Sequence, residues 1–209
     1  MASRWPFALA VAACVGIGLG VVLALARPRS GSAPQDAKAL ALHGQARWAP
    51  GAKRAPGFVL RGSVGSLVSL RSERRRIVLL TFLDSRCKRA CPLEGRLLGQ
   101  VQRDLRGTNV PVSLLVVTAD PWGDTRKSIR TFMREVRWTL PWHWLGGSPS
   151  ELRRVWRAYG VAVKRVPGDI VHSVVLYVID SRGYQRTAYL FPFSPRDVAQ
   201  DIRRVAAAT

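Results

Sequence analysis

The stretch IVLLTFLDSRCKRACP, residues 77–92, decides how this chain is read. Ile77 to Leu83 is an unbroken apolar or β-favouring run, with the length and composition of a strand buried on both faces. Asp84, Ser85 and Arg86 make a polar turn. Cys87 and Cys91 follow, and Pro92 leads into LEGRLLGQVQRDLR, where Leu93, Leu97, Leu98, Val101 and Leu105 recur at helical spacing. Two thiols therefore sit where a buried strand meets the start of a helix. A helix N-terminus carries partial positive charge and free N–H groups, which favour thiolate over thiol. Arg86, Lys88 and Arg89 add cations beside it. A low-pKa dithiol suits disulfide exchange or a soft metal ion; a structural disulfide or a pair of inert thiols is the plainer alternative.

The 209 residues allow one globular domain with extras. Lys and Arg number 33 against 13 Asp and Glu, a formal charge of +20. Such a surface attracts anionic lipid, nucleic acid or acidic proteins. The cations are scattered from end to end and no nucleic-acid motif is present, so the charge reads as a solvated face near a membrane, with no nucleic-acid partner. Of three cysteines, Cys14 lies in an apolar segment; a single remaining pair is not a disulfide framework.

Phe7–Ala26 is twenty residues without a charge, enough to span a bilayer core of roughly 30 Å. Arg4 and Trp5 precede it and Arg27 and Arg29 follow. After a short tail, 1–6, residues 7–26 read as an uncleaved single-pass anchor in the cell membrane. Ala24-Leu25-Ala26 also resembles a cleavage site and Val11-Ala12-Ala13-Cys14 a lipobox, but the apolar run is long for either. The cations after the anchor would hold the large domain inside, a rule that weakens for long translocated domains. Residues 27–54 read as a linker, with His43 inert within it, and 55–209 as the domain.

Within that domain, Phe58–Leu60 and Leu67–Leu70 suggest a hairpin. Val112–Thr118 reads as a second buried strand parallel to the first, completing a βαβ unit. Asp124 or Thr125 caps a helix to about Val136, and Asp120 is a loop residue. Ser148 and Pro149 start another helix, to about Tyr159. His143, between two tryptophans, reads as a packing or surface residue. Ser173–Ile179 and Arg186–Phe191 form a closing hairpin, and Ser194-Pro195 opens the last helix. This order fits an α/β, thioredoxin-like sandwich with an N-terminal β-hairpin, preceded by a single transmembrane helix.

Cys87, Cys91 and His172 form the candidate site. His172 is expected immediately before a strand that lies beside the cysteine turn. Two thiolates and an imidazole suit Cu(I), or Cu(II) with one further ligand. The cysteines alone also suit a dithiol–disulfide cycle, with Cys87 as the more exposed nucleophile. By itself, His172 is better explained as a satisfied polar residue at a strand edge.

Four segments carry a resemblance. IVLLTFLDSRCKRACP resembles the thiol motif of the SCO/SenC copper-chaperone family; VTADPWGDT (117–125), GSPSELRRVWRAYGV (147–161) and IVHSVVLYVIDSRG (170–183) are similar to its later segments, in the same order. The resemblance runs from about Ala55 to Val205. It implies a membrane-tethered, thioredoxin-like domain on the extracytoplasmic side. It implies copper held by Cys87, Cys91 and His172, and delivery to an oxidase subunit to build the dinuclear copper centre of cytochrome c oxidase. It also implies an alternative or companion role: a thiol–disulfide oxidoreductase that keeps partner cysteines reduced, with a Cys87–Cys91 disulfide when oxidised. A peroxide-reducing thiol enzyme on this fold has no further motif behind it. The chain departs from the family pattern where Lys88 and Arg89 replace a Pro and a frequent acid, and where Val171 replaces the acid before the histidine. The site is more cationic for it.

Overall fold

The computed structural model describes residues 41–139 and 141–209. The expected anchor, 7–26, lies outside the described residues; among the described residues no helix is long and apolar enough to cross a membrane. The strands are β1 (Ala46–Arg47), β2 (Val59–Gly62), β3 (Leu67–Ser69), β4 (Ile77–Leu83), β5 (Val112–Thr118), β6 (Trp142–Gly146), β7 (Val163–Val166), β8 (Asp169–His172), β9 (Val175–Ile179) and β10 (Gln185–Leu190). The helices are α1 (Ala90–Asp104), α2 (Arg126–Val136), α3 (Pro149–Ala158) and α4 (Pro195–Ala207).

Eight strands form one sheet in the order β1-β10-β9-β4-β5-β6-β2-β3. β4 pairs in parallel with β5 and antiparallel with β9, so it lies at the centre. Every residue of β4 and of β5 is buried, as their unbroken apolar runs require. Their side chains alternate between two cores. Ile77, Leu79 and Leu83 pack with Leu98 and Val101 of α1, Phe132 and Val136 of α2, and Val198, Ile202 and Val205 of α4. Val78, Leu80 and Phe82 pack on the other face with Leu152, Val155 and Trp156 of α3. A mixed sheet between helices on both faces is the expected sandwich.

The capped helices begin where their sequences say. Thr125 and Ser128, and Ser148 and Glu151, close reciprocal capping boxes at α2 and α3, and Pro149 opens α3. The short apolar run Trp142–Gly146 joins the sheet as β6, parallel to β5. Gly95 lets α1 approach α2, since a Cβ there would lie 2.4 Å from Val136 Cγ1.

Two features were not expected from the sequence. β7 and β8 form a separate antiparallel hairpin, so His172 ends β8 outside the main sheet and does not directly open the strand of Val175–Ile179. The packed unit also reaches back into the stretch read as linker: Leu42 is buried, β1 pairs with β10, and His43 is clasped. Its backbone N–H donates to Asp201 Oδ2 at 2.7 Å, and its ring Nδ1 lies 2.7 Å from Asp201 Oδ1. Tyr189 donates its hydroxyl to the same fully buried carboxylate. The short range of an imidazole made it look inert; a partner on the last helix, far along the chain, gives it a structural role.

Hydrogen bonds to a buried charge contribute about 1.5–3 kcal/mol each. Tyr189→Phe should lower unfolding free energy by about that amount, measured by denaturant titration, and Gly95→Ala by about 1–3 kcal/mol through overpacking of α1 on α2.

Candidate functional site

The end of β4 delivers the chain into the turn Asp84–Arg86, and Cys87 stands just before α1 while Cys91 lies in its first turn. Arg89 occupies the N-cap position without a side-chain cap, leaving N–H groups of the first turn free. The Cys87 sulfur takes that place. Its pKa falls to about 5, first through a hydrogen bond from the Cys91 thiol and then through the backbone N–H groups of Cys91, Arg89 and Ala90, against the opposing effect of burial. Cys91 is pushed the other way, by giving its proton to Cys87 and by complete burial. Both are free thiols, Cys87 half-buried. The pair is thus one half-buried thiolate and one buried thiol joined by a hydrogen bond.

The sequence credited Arg86, Lys88 and Arg89 with stabilising that thiolate. All three side chains are exposed, where water screens them, and none is a leading cause of the lowered pKa. Hydrogen-bond donors in contact with sulfur outweigh cations in solvent.

His172 comes from the separate hairpin, and its Nε2 lies 3.5 Å from Cys91 Sγ. Its Nδ1 lies 3.0 Å from the Ser173 carbonyl. A carbonyl only accepts, so Nδ1 carries a proton, and the other ring nitrogen faces the sulfur. The structure therefore brings Cys87, Cys91 and His172 together, although among the described residues no three His, Cys, Asp or Glu side chains converge closely enough to hold an ion as they stand. Two sulfurs and an imidazole nitrogen remain a soft donor set. His143 is elsewhere, on β6, with Nε2 3.7 Å from Glu73 Oε1.

The sequence reading missed two carboxyl groups. Glu94, one turn beyond Cys91, is fully buried, and its Oε2 has no hydrogen-bond partner among the described residues. Thr81 Oγ1 lies 2.5 Å from Glu94 Oε1 and 3.0 Å from the Val175 carbonyl. The Thr81 hydroxyl donates to the Glu94 carboxyl oxygen. Burial raises the Glu94 pKa to about 8, against the opposing effect of the Thr81 hydrogen bond. Its signal was an acid at a core-facing helical position, among Cys91, Gly95 and Leu98. Asp124, expected as a loop or cap residue, is a hub: it accepts from Ser85 N at 2.8 Å, Ser85 Oγ at 2.5 Å, Thr118 Oγ1 at 2.5 Å and Trp144 Nε1 at 2.8 Å. It thereby ties the turn before Cys87 to β5 and β6. Asp120 accepts from the backbone N–H groups of Trp122 and Gly123, and a Cβ on Gly123 would lie 2.0 Å from its Oδ2.

A cavity of about 860 Å³ opens over Cys87 and His172, walled by the cysteine turn, the loop around Trp122 and the β7–β8 hairpin. Arg165 of the hairpin stacks over the Trp122 ring at 5.3 Å, and Arg89 lies 3.8 Å from Asp169. The sequence pattern of the SCO1/SenC family matches residues 49–207. The chain belongs to the SCO1/SenC family. A SCO1 protein homolog of Bacillus subtilis is 24% identical over 145 residues, covering 63% of this chain and 75% of that protein. The structure of Arabidopsis thaliana ScoI with copper bound superposes with a TM-score of 0.64 at 21% identity, over 72% of this chain and 97% of the other. A structure of BsSco, described as revealing a disulfide switch in a member of the Sco family of cytochrome c oxidase assembly proteins, gives 0.64 at 22% identity, over 75% and 95%. The fold of this SCO1/SenC domain is thioredoxin-like.

Alkylation of Cys87 should follow a pH profile with a midpoint near 5, and Cys91→Ala should move that midpoint up towards the ordinary thiol value of 9.0 by removing the leading donor. Glu94, with its folded pKa raised from 4.5 to about 8, holds a proton that the unfolded chain has lost across that window, so its contribution to stability declines as pH rises through it. Relative to wild type, Glu94→Gln should therefore become progressively more stable between those pH values, measured by denaturation at each pH.

Proposed function

We propose that this protein binds one copper ion as cargo through Cys87, Cys91 and His172 and passes it to a copper-accepting subunit of cytochrome c oxidase. The observation that carries this reading is the 3.5 Å approach of His172 Nε2 to Cys91 Sγ, with the ring's other nitrogen tied to the Ser173 carbonyl. An imidazole whose Nε2 already faces the sulfur is a ligand in waiting. The softness of the donor set favours Cu(I), and Cu(II) would call for an additional ligand. Uptake requires modest movement of the side chains onto one point, which the half-exposed Cys87 and the hairpin position of His172 accommodate. Membership of the family, and copper in the Arabidopsis relative's structure, support the same reading.

A second reading rests on the hydrogen bond between the two sulfurs. Cys87 is a thiolate at neutral pH and Cys91 is its buried partner. This is the division of labour of a dithiol reductant: Cys87 attacks a partner disulfide and Cys91 resolves the mixed disulfide, leaving a Cys87–Cys91 bridge. Keeping an acceptor's cysteines reduced would prepare them for copper, so the two roles are compatible on one protein. We place residues 7–26 in the cell membrane as a single-pass anchor from the twenty-residue uncharged segment, and the domain on the extracytoplasmic side from the resemblance to the SCO/SenC family.

Anaerobic titration should give one Cu(I) per chain. His172→Ala should weaken copper by more than the roughly 10–100-fold that losing a mere supporting partner costs, while disulfide exchange by Cys87 continues. A His172→Ala protein that binds copper as tightly as wild type would remove the imidazole from the ligand set.

A further inference from the structure

The rim of the cavity over Cys87 is built for a partner of one charge. Arg86, Lys88, Arg89 and Arg165 line it and are all exposed. Arg86 and Lys88 make no ion pair among the described residues, and Arg165 meets only the Trp122 ring. Arg89 has Asp169, at a solvent-exposed 3.8 Å, a contact of little energy. The two other acids of the cavity face inward. Asp84 is buried and accepts from Arg86 N, and Asp120 is buried and accepts from the backbone of its own loop. What an approaching molecule meets is therefore cationic. It also meets apolar surface, since Trp122 is 50% and Val171 57% exposed on the same rim. Arginine with an exposed aromatic and an aliphatic neighbour is the composition of a protein-binding face.

We infer that this rim docks an acidic, cysteine-bearing segment of the partner protein: Asp or Glu residues beside the reacting sulfur lie against Arg86, Lys88, Arg89 and Arg165, and an apolar side chain covers Trp122 and Val171. The inference rests on the dithiol reading above and adds to it the chemistry of the partner. The rim cations do little for the thiolate, so their concentration around it acts on encounter. Opposite charge on the partner raises the association rate and like charge lowers it, both effects fading with salt.

The test uses the reduced full-length protein and two peptides of equal length, each carrying one cysteine as a mixed disulfide with thionitrobenzoate and flanked either by Glu or by Lys. The Cys87 thiolate attacks the peptide sulfur and expels thionitrobenzoate. The Cys91 thiol, giving up its proton, then displaces the peptide as a free thiol and closes the Cys87–Cys91 disulfide. Two electrons pass from the protein dithiol to the peptide disulfide, and release of the chromophore reports the first step. The Glu-flanked peptide should react about tenfold faster at low salt, with the ratio shrinking as salt is added. R86Q/K88Q/R89Q/R165Q should bring the ratio close to one. R71Q/R74Q/R76Q, which removes cations at the opposite end of β4, should leave it unchanged. A wild-type ratio near one, or an equal loss in both variants, overturns the docking face and leaves copper uptake untouched. Absence of chromophore release from either peptide, with one copper still bound, overturns the redox reading and the docking face while the copper reading stands.

Discussion

The site depends on the two-sided burial of β4. A strand whose every side chain is inside must have helices on both faces and paired strands on both edges, and β4 has all four. Its only route out is from its ends. At its C-terminal end the chain leaves the core and turns back at once into α1, whose apolar face covers one side of the same strand. The cysteines sit in that reversal, so the hydrophobic core sets where they stand. The same geometry places a first helical turn, uncapped by a side chain, against Cys87.

The unequal sulfurs follow from this placement. One N-terminal turn can solvate one anion well, and Cys87 receives its N–H groups and the Cys91 proton. Cys91, inside the core and acting as donor, has no means to ionise alongside it. Beneath them Glu94 is kept neutral by burial, with one oxygen unpartnered among the described residues. The result is one sulfur-borne negative charge, held where a metal ion or a disulfide can reach it. His172 faces the sulfurs from a hairpin outside the sheet, so the candidate site is made of two separately built pieces, bridged across the cavity mouth by an Arg–Trp stack and an exposed ion pair.

The strong elements were legible because their signals are local. Continuous apolar runs gave β4 and β5, helical spacing after Pro92 gave α1, and cap residues gave the starts of α2 and α3. The hairpin of β7 and β8 was not legible: Val163–Val166 and Asp169–His172 alternate weakly, because neither lies in a core. The reading of the cations failed in a related way. Sequence proximity to Cys87 is visible in a string of letters, whereas exposure to water, which decides how much a charge is felt, is not.

The sequence alone determined a βαβ centre, a dithiol at its strand-to-helix junction and a basic setting around it, since each is written in neighbouring residues. Only the tertiary structure decided which sulfur carries the charge, that Glu94 keeps its proton, that Asp124 ties the cysteine turn to two strands, and that His43 belongs to the fold. Each of these depends on which groups water is kept from and which distant donors replace it, and those are properties of packing that no spacing along the chain expresses.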